Sequence, residues 1–219
     1  MQVEIRSSVR RAARLIRNDR DFIRAARRMP KPVPWEWAKP RLVPLLSGPC
    51  DDAPGSAPVR ARSALGCWVD FGIDLGGHFP LVDGLVAERW ETSPDQLLEA
   101  SIANIERRAG ALATRSVRTA VRSGWIIRIL DRPKGCASSV LLAPTALRRL
   151  FGDHDQFLAA PGRHTILSFP IDMPTATIAD IAIDHEMGEL MPLFLQPFAL
   201  VGGELAWADG PSTADDEDW

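Results

Sequence analysis

The chain has 219 residues, 46% of them hydrophobic and 25% charged, with a formal net charge of -2. Those proportions belong to an ordinary globular chain, long enough to bury a core without metals or disulfides. They exclude a membrane-spanning helix, because no apolar run approaches the roughly 20 residues that a bilayer requires.

The first twenty residues, MQVEIRSSVRRAARLIRNDR, lack an apolar stretch followed by a small-residue cleavage site, so they do not read as a secretory signal. Cys50, Cys67 and Cys136 are odd in number, widely spaced and free of a CxxC pair. They read as buried thiols in a reducing compartment, and a cytoplasmic location is expected. The small net charge conceals a division along the chain. Residues 1–31 hold ten basic and three acidic side chains, a charge of +7, against 16 basic and 25 acidic in the remainder, a charge of -9.

In chain order, residues 3–28 read as one amphipathic helix. Ile5, Val9, Ala12, Ala13, Ile16, Phe22, Ile23 and Ala26 follow the three-and-four spacing of one face. Arginines, among them Arg10, Arg14, Arg17 and Arg24, spread over the rest. Prolines 30, 32, 34 and 40 then forbid regular helix. Trp35 and Trp37 lie between them in an expected extended strap that ties the arm to the main domain. Residues 47–63, rich in Gly, Pro, Ser and Asp, read as a loop. Residues 67–75 (CWVDFGIDL) alternate, with Asp70 and Asp74 opposite the apolar positions, as in a half-buried strand. Residues 80–91 are expected to add another short strand.

Ser93-Pro94-Asp95-Gln96 is an N-terminal helix signature. Serine caps, proline occupies the first turn, and Gln96 completes a capping box. The spacing of Leu97, Leu98, Ile102 and Ile105 predicts a helix to about Arg108, with Gly110 as the stop. Residues 125–130 (WIIRIL) and 139–142 (SVLL) read as an antiparallel pair about a turn at 131–135. A short helix is expected over 144–151, ended by Gly152. A hairpin about Pro161-Gly162 should follow, with strands over 157–160 and 164–169. Residues 173–191 should be helical, and strands over 193–201 and 204–207 should form a terminal hairpin about Gly202-Gly203. Beyond 209 the composition is an acidic tail, expected to be disordered.

Hairpins with helices between them predict an α+β domain, with a mainly antiparallel sheet and packed helices plus the amphipathic N-terminal arm. The expected division is arm and strap (1–40), domain (41–208) and tail (209–219).

From about Phe79 to Trp207 the order of elements resembles the YtpQ-like family of bacterial proteins. The likeness rests on Ser93-Pro94-Asp95-Gln96-Leu97-Leu98, and on the ordered run Val140-Leu141-Leu142, residues 147–151, Phe157-Leu158-Ala159-Ala160-Pro161 and Arg163-His164. Where that family often has an acidic residue after its apolar-Pro-x-Arg turn, His164 stands here. The resemblance implies an α+β fold and no particular reaction.

Chemistry-bearing motifs are sparse. Asp184-His185-Glu186-Met187-Gly188-Glu189 offers HExxE, not the two histidines one helical turn apart that a zinc hydrolase needs. It reads as a solvated helix face. His154 between two aspartates and His78 after Gly76-Gly77 read as loop residues. No GxSxG elbow or phosphate-cradling glycine motif occurs. Neither a catalytic set nor a metal or cofactor site is expected. Arg163 and His164 are the candidate ligand-binding pair, since a guanidinium beside an imidazole can hold an anion. Arg10, Arg14, Arg17, Arg24, Trp35 and Trp37 are the candidate partner-binding residues. The expectation is an interaction or regulatory protein whose arm engages a protein partner or a second copy. Nucleic-acid binding through the arginines, or an enzyme pocket assembled from distant residues, stand as alternatives.

Overall fold

The computed structural model describes residues 20–47, 58–132, 135–186, 193 and 196–208. Over these residues the chain is α+β, with two antiparallel sheets and packed helices. Of the expected arm, residues 20–26 are seen as a helix (α1); residues 3–19 and the 209–219 tail lie outside the described residues.

The strap departs from its expected extended form. Trp35–Ala38 make one helical turn (α2), and Lys39–Arg41 continue as a 3-10 turn. The prolines allow this because they sit where helices begin: Pro34 is the residue before α2, and Pro40 lies in the first turn of the 3-10 segment. Trp35 and Trp37 pack against the main core. The indole of Trp90 stacks obliquely on Trp35 at 5.4 Å, and its Nε1 donates to the Val33 carbonyl at 2.8 Å.

The smaller sheet contains β1 (Leu42–Ser47), β2 (Arg60–Arg62) and β3 (Trp68–Ile73), in the order β1-β3-β2. Composition concealed β1 and β2, which occupy the flanks of the expected loop. Pro44 is accommodated because β1 is an edge strand, where a missing N–H need not break a ladder. The half-buried reading of β3 needs correction: Val69 through Ile73 are all buried, Asp70 included. Arg60 on β2 answers the Asp70 carboxylate at 2.8 Å. Residues 80–91 are not a strand; they carry two isolated bridges, Leu81 to Gly72 and Asp83 to Pro58. Asp83 caps a helix instead, α3 (Gly84–Arg89), its carboxylate accepting from Val86 N at 2.8 Å.

Helix α4 (Pro94–Gly110) starts as predicted, with both halves of the capping box formed. Its innermost positions are Leu97, Ser101, Asn104, Ile105 and Ala109, while Leu98 and Ile102 are half-buried. Asn104 earns its buried place by donating from Nδ2 to the carbonyls of Lys39 (2.6 Å) and Leu42 (3.0 Å). These bonds fix α4 across the start of β1.

The larger sheet runs β4-β5-β7-β6-β8-β9. Its first hairpin joins β4 (Val117–Arg122) to β5 (Trp125–Asp131), and the expected partner of β5, residues 139–142, is a buried 3-10 turn (Ser138–Leu142). The β4–β5 turn is Ser123-Gly124, both with positive φ (49° and 80°), the geometry that matches strand twist in two-residue hairpins. Helix α5 (Pro144–Phe151) ends at Gly152 as predicted. In the next hairpin, β6 (Gln156–Gly162) and β7 (Thr165–Pro170) turn at Arg163-His164, two residues later than expected, and the β6 register shifts between Ala159 and Gly162. Helix α6 (Thr175–Glu186) packs on this sheet over a second core of Ile127, Ile129, Leu167, Phe169, Met173 and Ile178. Residues 187–191 of the expected helix lie outside the described residues. The terminal hairpin, β8 (Phe198–Val201) and β9 (Glu204–Trp207), turns at Gly202-Gly203 as predicted, with a shorter first strand.

Candidate functional site

The arm joins the body at α1. Arg20, Arg24, Arg27 and Arg28 are exposed there, and Arg24 lies 3.6 Å from Asp21. Phe22 and Ile23 remain 38% and 49% exposed, although Phe22 touches the ring of His78 at 6.0 Å between centroids. Trp35 and Trp37 serve as anchors: both are half-buried on the chain's own core, with Arg41 over Trp37 at 4.4 Å. Arg10, Arg14 and Arg17 lie outside the described residues.

Next along the body, α3 and the start of α4 present the opposite charge. Glu88, Glu91, Asp95 and Glu99 are exposed and form no ion pair among the described residues. Leu81 and Leu85, 47% and 66% exposed, lie in the same stretch of chain. This stretch of chain thus exposes apolar and acidic side chains, with Arg89 as an exposed basic one among them.

A cavity of about 150 Å³ opens between β1, the C-terminal half of α4 and the 132–140 segment. Val43, Phe79, Ile105, Ala109, Leu112 and Val140 supply its apolar wall; Asp74, Arg108, Arg132 and Cys136 supply its polar groups. Asp74 is held on both sides. Its Oδ2 accepts from Arg108 at 2.7 Å, and its Oδ1 accepts from Gly76 N (2.8 Å) and Gly77 N (3.0 Å). Both glycines have positive φ, which the tight return after β3 requires. Arg132 is exposed, makes no ion pair among the described residues, and lies across Gly135. A side chain at Gly135 would stand 3.3 Å from Arg132 Cβ and crowd that path.

Arg163 and His164 are brought to the back of this cavity wall. Their turn grips the lining segment through its backbone: Arg132 N donates to His164 O (2.8 Å), and Ser138 donates to Arg163 O from N (3.2 Å) and Oγ (3.1 Å). His164 Nδ1 lies 2.5 Å from Gly135 O. A carbonyl only accepts, so Nδ1 carries the proton. The Nε of Arg163 is buried without a partner among the described residues. Burial pushes the Cys136 thiol up to about 12; Arg163 is the strongest influence in the opposite direction. At neutral pH this thiol is protonated and is no nucleophile.

Arg163 and His164 thus bond to the wall from behind, and the polar groups on its face are Asp74, Arg108, Arg132 and Cys136. Asp74, Arg108 and Arg132 come from three separated segments, and no spacing in the sequence marks them as one site.

The remaining motifs stay apart. His154 is exposed, and His185 is half-buried near the end of α6, where burial, then Arg122 and Arg118, lower its pKa. Among the described residues no group of three or more His, Cys, Asp or Glu is placed to hold a metal ion, and no helix is long and apolar enough to cross a membrane. No family model, curated protein or solved structure matches this chain.

Proposed function

We propose that this is an interaction protein whose basic N-terminal arm docks on the acidic α3–α4 face of a second copy. The observation that carries the reading is the mounting of the arm. Its last turns leave Phe22 and Ile23 half out of the body, while the strap behind them is fixed by Trp35, Trp37 and Trp90. An amphipathic helix with an unfilled apolar face is stabilised by covering that face. The surface around Leu81, Leu85, Glu88, Glu91, Asp95 and Glu99 offers matching apolar groups and opposite charge. The +7 of residues 1–31 and the -9 of the remainder supply attraction within a single sequence.

Light scattering of the full chain over a concentration series tests this. Association should appear as concentration rises, and a Phe22→Ser, Ile23→Ser variant should shift it to about tenfold higher concentration, the effect of losing two partly buried apolar side chains. A monomer mass throughout the series contradicts the proposal, as does a variant that associates like the parent.

A further inference from the structure

We propose that the cavity between β1, α4 and the 132–140 segment binds a small organic acid with an apolar body about the size of a benzene ring, its carboxylate held by Arg132. The cavity lining includes none of the residues named for docking.

Size sets the body of the ligand. The cavity measures about 150 Å³, and an apolar protein cavity of about that volume accepts benzene. Its apolar wall, with Val43, Phe79, Ile105 and Val140, favours hydrocarbon and disfavours a hydrated ion, which would lose water without replacement partners. Charge sets the head group. Arg108 is already neutralised by Asp74 at 2.7 Å, so the pair adds no net charge to the rim. Arg132 contributes a guanidinium with no ion pair among the described residues. One free guanidinium matches one carboxylate, whose two oxygens fit the parallel N–H donors of its fork. Inorganic phosphate would find the same cation, and its remaining oxygens would face the apolar wall.

Position favours the same ligand. Arg132 lies across Gly135, and the Arg163-His164 turn holds both ends of that segment through backbone bonds. Arg132 is thus tied at its own backbone N–H to the His164 carbonyl. Behind the wall, the buried and unpartnered Nε of Arg163 adds positive potential without competing for the ligand.

The full chain is titrated separately with benzoate, benzyl alcohol and inorganic phosphate, with binding read from amide chemical shifts in NMR spectra. Benzoate should bind saturably, at least about tenfold more tightly than benzyl alcohol, the effect of one charge-assisted contact. Phosphate should not saturate over the same range. Arg132→Ala should weaken benzoate by about tenfold or more. The exposed position of Arg132 lets the variant keep its fold, which its amide spectrum verifies directly. Absence of saturable benzoate binding overturns the proposal, as does phosphate binding equal to that of benzoate, or an Arg132→Ala variant that binds benzoate unchanged.

Discussion

Asp70, at the centre of β3, is only 6% exposed, and its carboxylate meets Arg60 at 2.8 Å. Removing the carboxylate of such a buried pair takes away a charge-assisted hydrogen bond inside the sheet. Asp70→Ala should therefore cost about 3 kcal/mol of unfolding free energy, measured by urea denaturation; a loss within experimental error would show that water reaches Arg60. Alternation along residues 67–75 located this strand and assigned Asp70 to solvent, because a period of two reports faces and is blind to what covers them. Cys67 and Cys136 were legible as buried thiols, and Cys50 lies outside the described residues. Burial raises Cys67 from 9.0 to about 11, and Cys136 from 9.0 to about 12. Below 9.0 both thiols are protonated in folded and unfolded chains alike, so their contribution to stability is complete there. As pH rises from 9.0 through the folded values, the unfolded chain ionises first and that contribution is lost. Unfolding free energy should fall over this alkaline range, and fall less in a Cys67→Ala, Cys136→Ala variant. Parallel profiles for the two proteins would contradict the enclosure of these thiols.

Among the elements, α4 was the most legible because its signals are local. The Ser93–Gln96 box closes with bonds of 2.9 and 3.3 Å, and Ser93→Ala should destabilise the protein by about 1 kcal/mol in thermal or urea unfolding. An unchanged midpoint would mean that the helix end is satisfied by water alone. Helix α5 and the last hairpin were readable for the same reason, through Gly152 and Gly202-Gly203. The errors cluster where tertiary contacts decide. Residues 138–142 form a short apolar run, which periodicity cannot divide between strand and helix; with every side chain buried they form a 3-10 turn. Strand β4 carries Val117, Thr119 and Val121 between Arg118, Ala120 and Arg122, too polar to stand out. Its exposed arginines suit an edge strand, where charge discourages further pairing. The Arg163-His164 turn was displaced because Pro161-Gly162 is normally a turn signal, and here it lies in the irregular end of β6.

At the scale of the molecule, the charge division was visible in sequence, and the α+β class followed from the spacing of hairpins and helices. The cavity was not. Its polar groups, Asp74, Arg108, Arg132 and Cys136, meet only through the packing of α4 between the smaller sheet and the 132–140 segment. The acidic residues escaped notice for a related reason: Glu88 lies in α3, which was read as a strand, Glu91 in the turn after it, and Asp95 and Glu99 in α4.

The docking of arm on acidic face is tested most directly by zero-length cross-linking between carboxylates and amines in an equal mixture of light and heavy-isotope-labelled full chains. Mass spectrometry should find Lys31, the one lysine of residues 1–31, joined to Glu88, Glu91, Asp95 or Glu99 in peptide pairs carrying both labels. Pairs carrying a single label throughout would place the arm on its own body, and the absence of any such pair would remove the acidic face as its partner.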